Sequence, residues 1–130
     1  MRRTSGLTFV EKKINAIVFE GVSHSYPLSL RASYEPDEKL ATLVHELCHR
    51  LAFANRVRVP ENSENSSLAT HKQINLILYD VWATLEDENF AKRQVEVESA
   101  RMNIYKEAWD WALGFSKEER QQRFESLKIN

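Results

Sequence analysis

The chain has 130 residues, 42% of them hydrophobic and 28% charged, with only three Gly and three Pro, which excludes wholesale disorder and collagen-like repeats. Its 18 Lys and Arg nearly balance its 19 Asp and Glu, so no overall basic charge attracts the chain to nucleic acid. A single cysteine excludes an intramolecular disulfide framework, and no apolar run approaches the ~20 residues of a membrane span. We therefore expect one domain over residues 1–130, in the cytoplasm, with no membrane or nucleic-acid partner.

Two strands are predicted near the N-terminus. Residues 14–20 are β-branched and aromatic, which favours a strand, and Gly21 begins a turn after them. Residues 25–34 alternate between apolar and polar side chains and predict a second strand. Pro27 has no backbone donor and therefore places this strand at the edge of a sheet. An exposed edge can pair with another extended chain.

The remainder of the chain predicts helices. Pro36 begins a helix over 36–54, followed by a polar surface loop over 55–67 and by helices over 69–86 and 88–114. A short last helix is predicted to begin with a capping box at Ser116. The apolar stripe of the first helix consists of Leu40, Leu43, Val44, Leu47 and Leu51. Strands followed by helices indicate an α+β fold with a short sheet on one side of the helices.

The predicted 36–54 helix carries the sequence His-Glu-Leu-Cys-His over residues 45–49. The four-residue spacing puts the imidazoles of His45 and His49 on one helix face, where both can bind one Zn²⁺. Glu46 is rotated by about 100° from His45 and lies beside such an ion, as a base for its water would. The alternative is two surface histidines without a metal. Cys48 is predicted to be a small buried residue.

The stretch over 26–53, an edge strand followed by the H-E-x-x-H helix, resembles the active-site segment of zincin metallopeptidases. The chain has the size of the smallest such domains, the minigluzincins, and SprT-like peptidases carry a similar helix. The resemblance implies a small zincin-like domain with zinc on His45 and His49 and Glu46 as general base. It also implies a peptide substrate aligned along edge strand 26–33. It covers the first half of the chain.

Three residues are candidates for the third metal ligand. His71 shares its predicted helix face with apolar residues, and SprT-like peptidases resemble this arrangement, with the third His beginning a helix after a loop. Glu98 lies within an apolar arc, where a carboxylate needs a metal or a hydrogen-bond donor. Glu96 is similar in context to a zinc-binding Glu of gluzincins, but Ala100 stands where their Asp is expected. If His71 binds the metal, Glu98 is a natural partner for an imidazole N–H.

The sequence thus predicts a zinc-dependent metallopeptidase that hydrolyses peptide bonds with Glu46 as general base. Tyr105, Arg101 and His24 are candidates for stabilising the oxyanion, and Trp109 is predicted to pack in the core. One alternative is a zincin-like metal-binding regulatory or interaction module with little proteolytic activity. Another is a metal-free helical interaction protein that uses the 88–114 helix. Substrate preference and oligomeric state stay open.

Overall fold

In the computed structural model, residues 1–10, 13–19, 21–26, 28–60 and 65–129 are described. Six helices and two strands lie among them, in the order α1 (Arg2–Ser5), β1 (Ala16–Phe19), β2 (Leu28–Arg31), α2 (Pro36–Ala54), α3 (Ser66–Leu85), α4 (Glu88–Arg101), α5 (Asn103–Leu113) and α6 (Lys117–Leu127). The described chain is mostly helical with a small amount of strand, so the predicted mixture of the two is confirmed. Within it, no helix is both long and apolar enough to cross a membrane.

The two strands form a parallel pair in which Ala16 lies opposite Leu28. Both are shorter than the predicted strands over 14–20 and 25–34. Pro27, on which the edge prediction rests, lies outside the described residues, as do 61–64 of the predicted loop.

The chain before β2 folds back along its outer side. The N–H of His24 donates to the Ser29 carbonyl at 3.0 Å, and the N–H of Ser29 donates to the His24 carbonyl at 2.9 Å. The Arg31 N–H donates to the Ser23 hydroxyl at 3.1 Å. We call residues 22–26 the return segment, and it covers this side of β2. The backbone groups of Ser29 and the N–H of Arg31, on the strand predicted as an open edge over 26–33, are therefore already hydrogen-bonded.

Helix α2 has the predicted bounds, so the helix over 36–54 is confirmed. The predicted leucine stripe is confirmed at Val44 and Leu51, which are buried, whereas Leu43 and Leu47 are only half-buried. The buried face also includes three small side chains outside the stripe, Ala41, Cys48 and Ala52. The predicted burial of Cys48 is confirmed.

Helix α3 is the central helix and contacts all five other helices. Every residue from His71 to Trp82 is buried, which is typical of a helix surrounded on all sides. The helix begins earlier than predicted because Asn65 caps it, accepting a hydrogen bond from the Leu68 N–H at 3.1 Å. Leu85 is exposed at the end of the helix.

The single helix predicted over 88–114 is wrong, because the chain turns at Met102, whose backbone is extended (φ −152°, ψ 147°). In a continuous helix, Glu98 and Trp109 would lie about 16 Å apart along the axis. Instead, α5 packs back against α4, and Trp109 Nε1 donates to Glu98 Oε2 at 3.0 Å. The sequence has neither Gly nor Pro at this turn, and its helical pattern of apolar residues continues through it. The sequence therefore gives no signal that the helix ends here.

The last helix, α6, is held against α3 by a buried ion pair. Arg120 donates to both carboxylate oxygens of Asp80, through Nε at 3.1 Å and Nη2 at 2.9 Å. The capping box predicted at Ser116 is confirmed, with Glu119 as its second member. Phe124 adds an aromatic ring to the core.

Candidate metal centre

Three histidines from two helices converge at one point. His45 and His49 lie one turn apart on α2, and their Nε2 atoms are 3.2 Å apart. The ring centroid of His71, near the start of α3, lies 5.2 Å from that of His45 and 4.9 Å from that of His49. One ligand nitrogen from each ring lies within 4.8 Å of the other two. The fold thus brings the two motif histidines to the first candidate for a third ligand.

The spacing of the His45 and His49 imidazoles fits a tetrahedrally coordinated metal ion. Two nitrogens bound at ~2.05 Å and at tetrahedral angles are about 3.3 Å apart, close to the 3.2 Å between the Nε2 atoms of His45 and His49. Three imidazoles form a donor set suited to a transition metal, whereas Mg²⁺ and Ca²⁺ prefer oxygen ligands. The residues present therefore fit a bound transition-metal ion.

Hydrogen bonds fix the tautomers of two of the rings. His71 Nδ1 donates to the Ser67 carbonyl at 2.7 Å, so its neutral ring has a free lone pair on Nε2. His45 Nδ1 donates to Glu98 Oε1 at 2.6 Å, so its Nε2 is the ring nitrogen that lies toward His49. The other oxygen of Glu98 accepts from Trp109. Glu98, the alternative third ligand, thus has both oxygens engaged in hydrogen bonds, one of them to a candidate ligand.

Burial and the Glu98 carboxylate set the protonation of these groups. Burial lowers the pKa of His71 to about 4, and it lowers the pKa of His49 well below its ordinary value. Burial also opposes protonation of His45, but the adjacent Glu98 outweighs it and leaves the His45 pKa raised. The pKa of Glu98 is lowered despite its burial, because His45 and Trp109 bind its charged form. His49 and His71 are therefore neutral at pH 7, which is the form that binds a metal.

Glu46 is 9% exposed and lies on the boundary between two cavities. The larger cavity has a volume of about 610 Å³ and is also lined by His49 and His71. The smaller cavity has a volume of about 170 Å³ and is lined by His45 and Glu98. Burial raises the pKa of Glu46, although the charge of His45 opposes this. A carboxylate in this position can accept and release a proton beside the histidine cluster.

All three oxyanion candidates lie near Glu46, but they occupy different walls. Tyr105 lines both cavities, and its ring centroid is 4.7 Å from that of His71. His24 lines the larger cavity, and Arg101 lines the smaller one. Arg101 is paired with Glu38 at 3.0 Å. Tyr105 is therefore the candidate that shares the Glu46 boundary and also contacts the histidine cluster.

Two residues singled out in the sequence lie away from the cluster. Glu96 is exposed on α4, two residues before the buried Glu98. Cys48 is completely buried in the core, and burial raises the pKa of its thiol. Neither belongs to the group of candidate ligands.

Sequence reasoning missed two residues that shape the site. Trp109 was expected only to pack, yet its indole N–H holds Glu98, and a buried indole N–H generally needs such a partner. Arg50 donates through Nη1 to the Ser25 carbonyl at 3.0 Å, and its guanidinium lies 4.0 Å from the Tyr26 ring centroid. Arg50 thereby ties α2 to the return segment that forms one wall of the larger cavity. No sequence pattern marks this contact.

Comparison of the chain with protein-family models, with curated proteins and with solved structures found no match.

Proposed function

We propose that the chain is a zinc-dependent metallopeptidase of the zincin type. The observation that carries the proposal is the convergence of His45, His49 and His71 beside Glu46, at an open cavity. Structural zinc sites close all four positions with protein ligands, whereas catalytic sites keep one position for water. Among the described residues the group of candidate ligands has three members, His45, His49 and His71. Three ligands would leave the fourth position for water, which supports a catalytic rather than a structural centre.

In this proposal the three imidazoles would hold the ion through their Nε2 atoms. Glu98 orients His45, and the Ser67 carbonyl orients His71, as partners of metal-bound histidines commonly do. When bound, zinc lowers the pKa of a coordinated water toward about 7 and polarises the scissile carbonyl.

Glu46 takes the proton from the attacking water and passes it to the leaving amine, so the enzyme forms no covalent intermediate. Tyr105 donates its hydroxyl proton in a hydrogen bond to the developing oxyanion, since it faces both cavities at the Glu46 boundary.

The proposed path of the peptide follows the larger cavity. The return segment over 22–26 lines this cavity and covers Ser29 of β2. We therefore place the substrate, predicted along strand 26–33, beside the return segment, which lines the larger cavity.

Metal analysis tests the centre directly. Protein purified without added metal should contain close to one zinc per chain by mass spectrometry, and His45→Ala should lose it. His24→Ala is the matched control, because His24 lines the same cavity but lies outside the cluster, and it should keep its zinc. Equal zinc in the parent and in His45→Ala, or its absence from both, would refute the proposal.

The role of Glu46 separates a peptidase from the alternative of a metal-binding regulatory module. Glu46→Gln should retain zinc and lose cleavage of an unstructured protein substrate by at least about 100-fold, because no base remains to take the proton. A parent protein that binds zinc but cleaves no peptide would favour the binding module instead.

A further inference from the structure

Part of the lining of the larger cavity is apolar and exposed. Phe53 is 75% exposed, although it lies on α2 only one turn after His49. Val22, Tyr26 and Val59 are exposed around it and line the same cavity. Isolated exposed apolar residues are ordinary, but a contiguous group beside a polar site marks a binding surface. We call Val22, Tyr26, Phe53 and Val59 the apolar wall.

The apolar wall is held in place by specific contacts. The rings of Tyr26 and Phe53 meet edge to face with centroids 5.5 Å apart. The Arg50 guanidinium lies over the Tyr26 ring and donates to the Ser25 carbonyl, so the return segment is fixed to α2. An aromatic pair that is already ordered loses little side-chain entropy when a ligand covers it.

The charges of the two cavities differ. Among the described residues, the larger cavity is lined by no Lys, Arg or Asp, and its charged or titratable groups are Glu46, three histidines and two tyrosines. The smaller cavity is lined by Arg31 and Arg101. The end of the larger cavity at the apolar wall therefore suits an uncharged side chain, since it offers no partner for a buried charge.

We propose that the apolar wall is the subsite that receives a large apolar side chain of the peptide substrate, on the His49 and His71 side of Glu46. This inference rests on the proposed function, because it takes the cavity as a peptide site. Phe53 is its principal specificity-determining residue, since it contributes the most exposed ring of the wall.

Peptide binding without turnover tests this subsite. The full-length Glu46→Gln protein, loaded with zinc, is titrated with labelled peptides that differ at one position, which is Leu, Phe, Ser, Asp or Lys. The Leu and Phe peptides should bind at least about tenfold more tightly than the others, because the wall buries their side chains. Adding Phe53→Ala should remove most of that preference. Leu85→Ala is the matched control, because Leu85 is also exposed but lies outside the cavity, and it should leave the preference unchanged.

The outcomes separate this inference from the peptidase proposal. Equal affinities across the series, an unchanged preference in Phe53→Ala, or binding of none of the peptides would overturn the apolar subsite. Cleavage by the parent protein with no apolar preference in the products would overturn the subsite and leave the peptidase proposal intact. A Phe53-dependent preference in a protein that cleaves nothing would support the subsite and overturn the peptidase.

Discussion

Replacing Glu98 by Gln should weaken metal binding without removing a ligand. Both neighbours of this carboxylate are donors: His45 Nδ1 lies 2.6 Å from Oε1, and Trp109 Nε1 lies 3.0 Å from Oε2. An amide has one acceptor oxygen, so one of the two buried donors must face an NH₂ group. The variant also loses the negative charge that supports His45. We expect zinc affinity to fall by about 10–100-fold, or about 1.4–2.7 kcal/mol.

The assay is a competition titration of metal-free protein against a chromophoric zinc chelator. Glu96→Gln is the matched control, because it makes the same chemical change two residues earlier at an exposed position, and it should leave the affinity unchanged. His71→Ala should lose more affinity than Glu98→Gln, since it removes a proposed ligand outright. Thermal unfolding of the metal-free variants checks that each is folded.

Two results would contradict this reasoning. An affinity loss in Glu98→Gln equal to or larger than that in His71→Ala would mean that Glu98 is itself the third ligand. An unchanged affinity would mean that the contact with His45 has no influence on the metal.

Three further predictions concern stability and reactivity. Asp80→Ala should lower the free energy of unfolding, measured by denaturant titration, by about 3–5 kcal/mol, because it leaves the buried Arg120 charge unpaired. Lys106→Ala breaks an exposed ion pair and should lower the free energy of unfolding by less than about 1 kcal/mol. Native Cys48 should resist a thiol reagent that labels the unfolded chain at once, since its thiol is buried with a raised pKa; rapid native labelling would contradict this. In metal-free protein the His71 pKa of about 4 means that, between about pH 6.5 and pH 4, this histidine is protonated in the unfolded chain but not in the folded chain. Stability should therefore fall as the pH drops through that range, and His71→Asn should reduce the fall.

The local signals in the sequence predict individual helices well. Pro36 in the first turn and Ser116 in its capping box each mark a helix start that depends on neighbouring residues alone. His71 was placed inward from its helix face, and the structure brings it to the other two histidines. Such signals succeed because hydrogen bonding and periodicity within one helix do not depend on the rest of the fold.

The features that the sequence misses depend on contacts between elements. The turn at Met102 contains no helix-breaking residue and is stabilised by α5 packing on α4. The predicted stripe of α2 contains its largest aliphatic side chains, whereas the buried face of the helix also includes the small residues Ala41 and Cys48. The covering of Ser29 by His24 likewise depends on backbone pairing between segments.

The central position of α3 links occupancy of the centre to completion of the fold. His45 and His49 belong to one helix, but His71 reaches them only when α3 is seated among the other helices. An unfolded chain therefore offers at most a weak bidentate pair, while the native chain offers three donors. An ion present at 1,000 times its dissociation constant would add about 4.1 kcal/mol to the native state by mass action. Chelation should accordingly lower the melting temperature, so that metal supply would also govern how long the chain survives proteolysis.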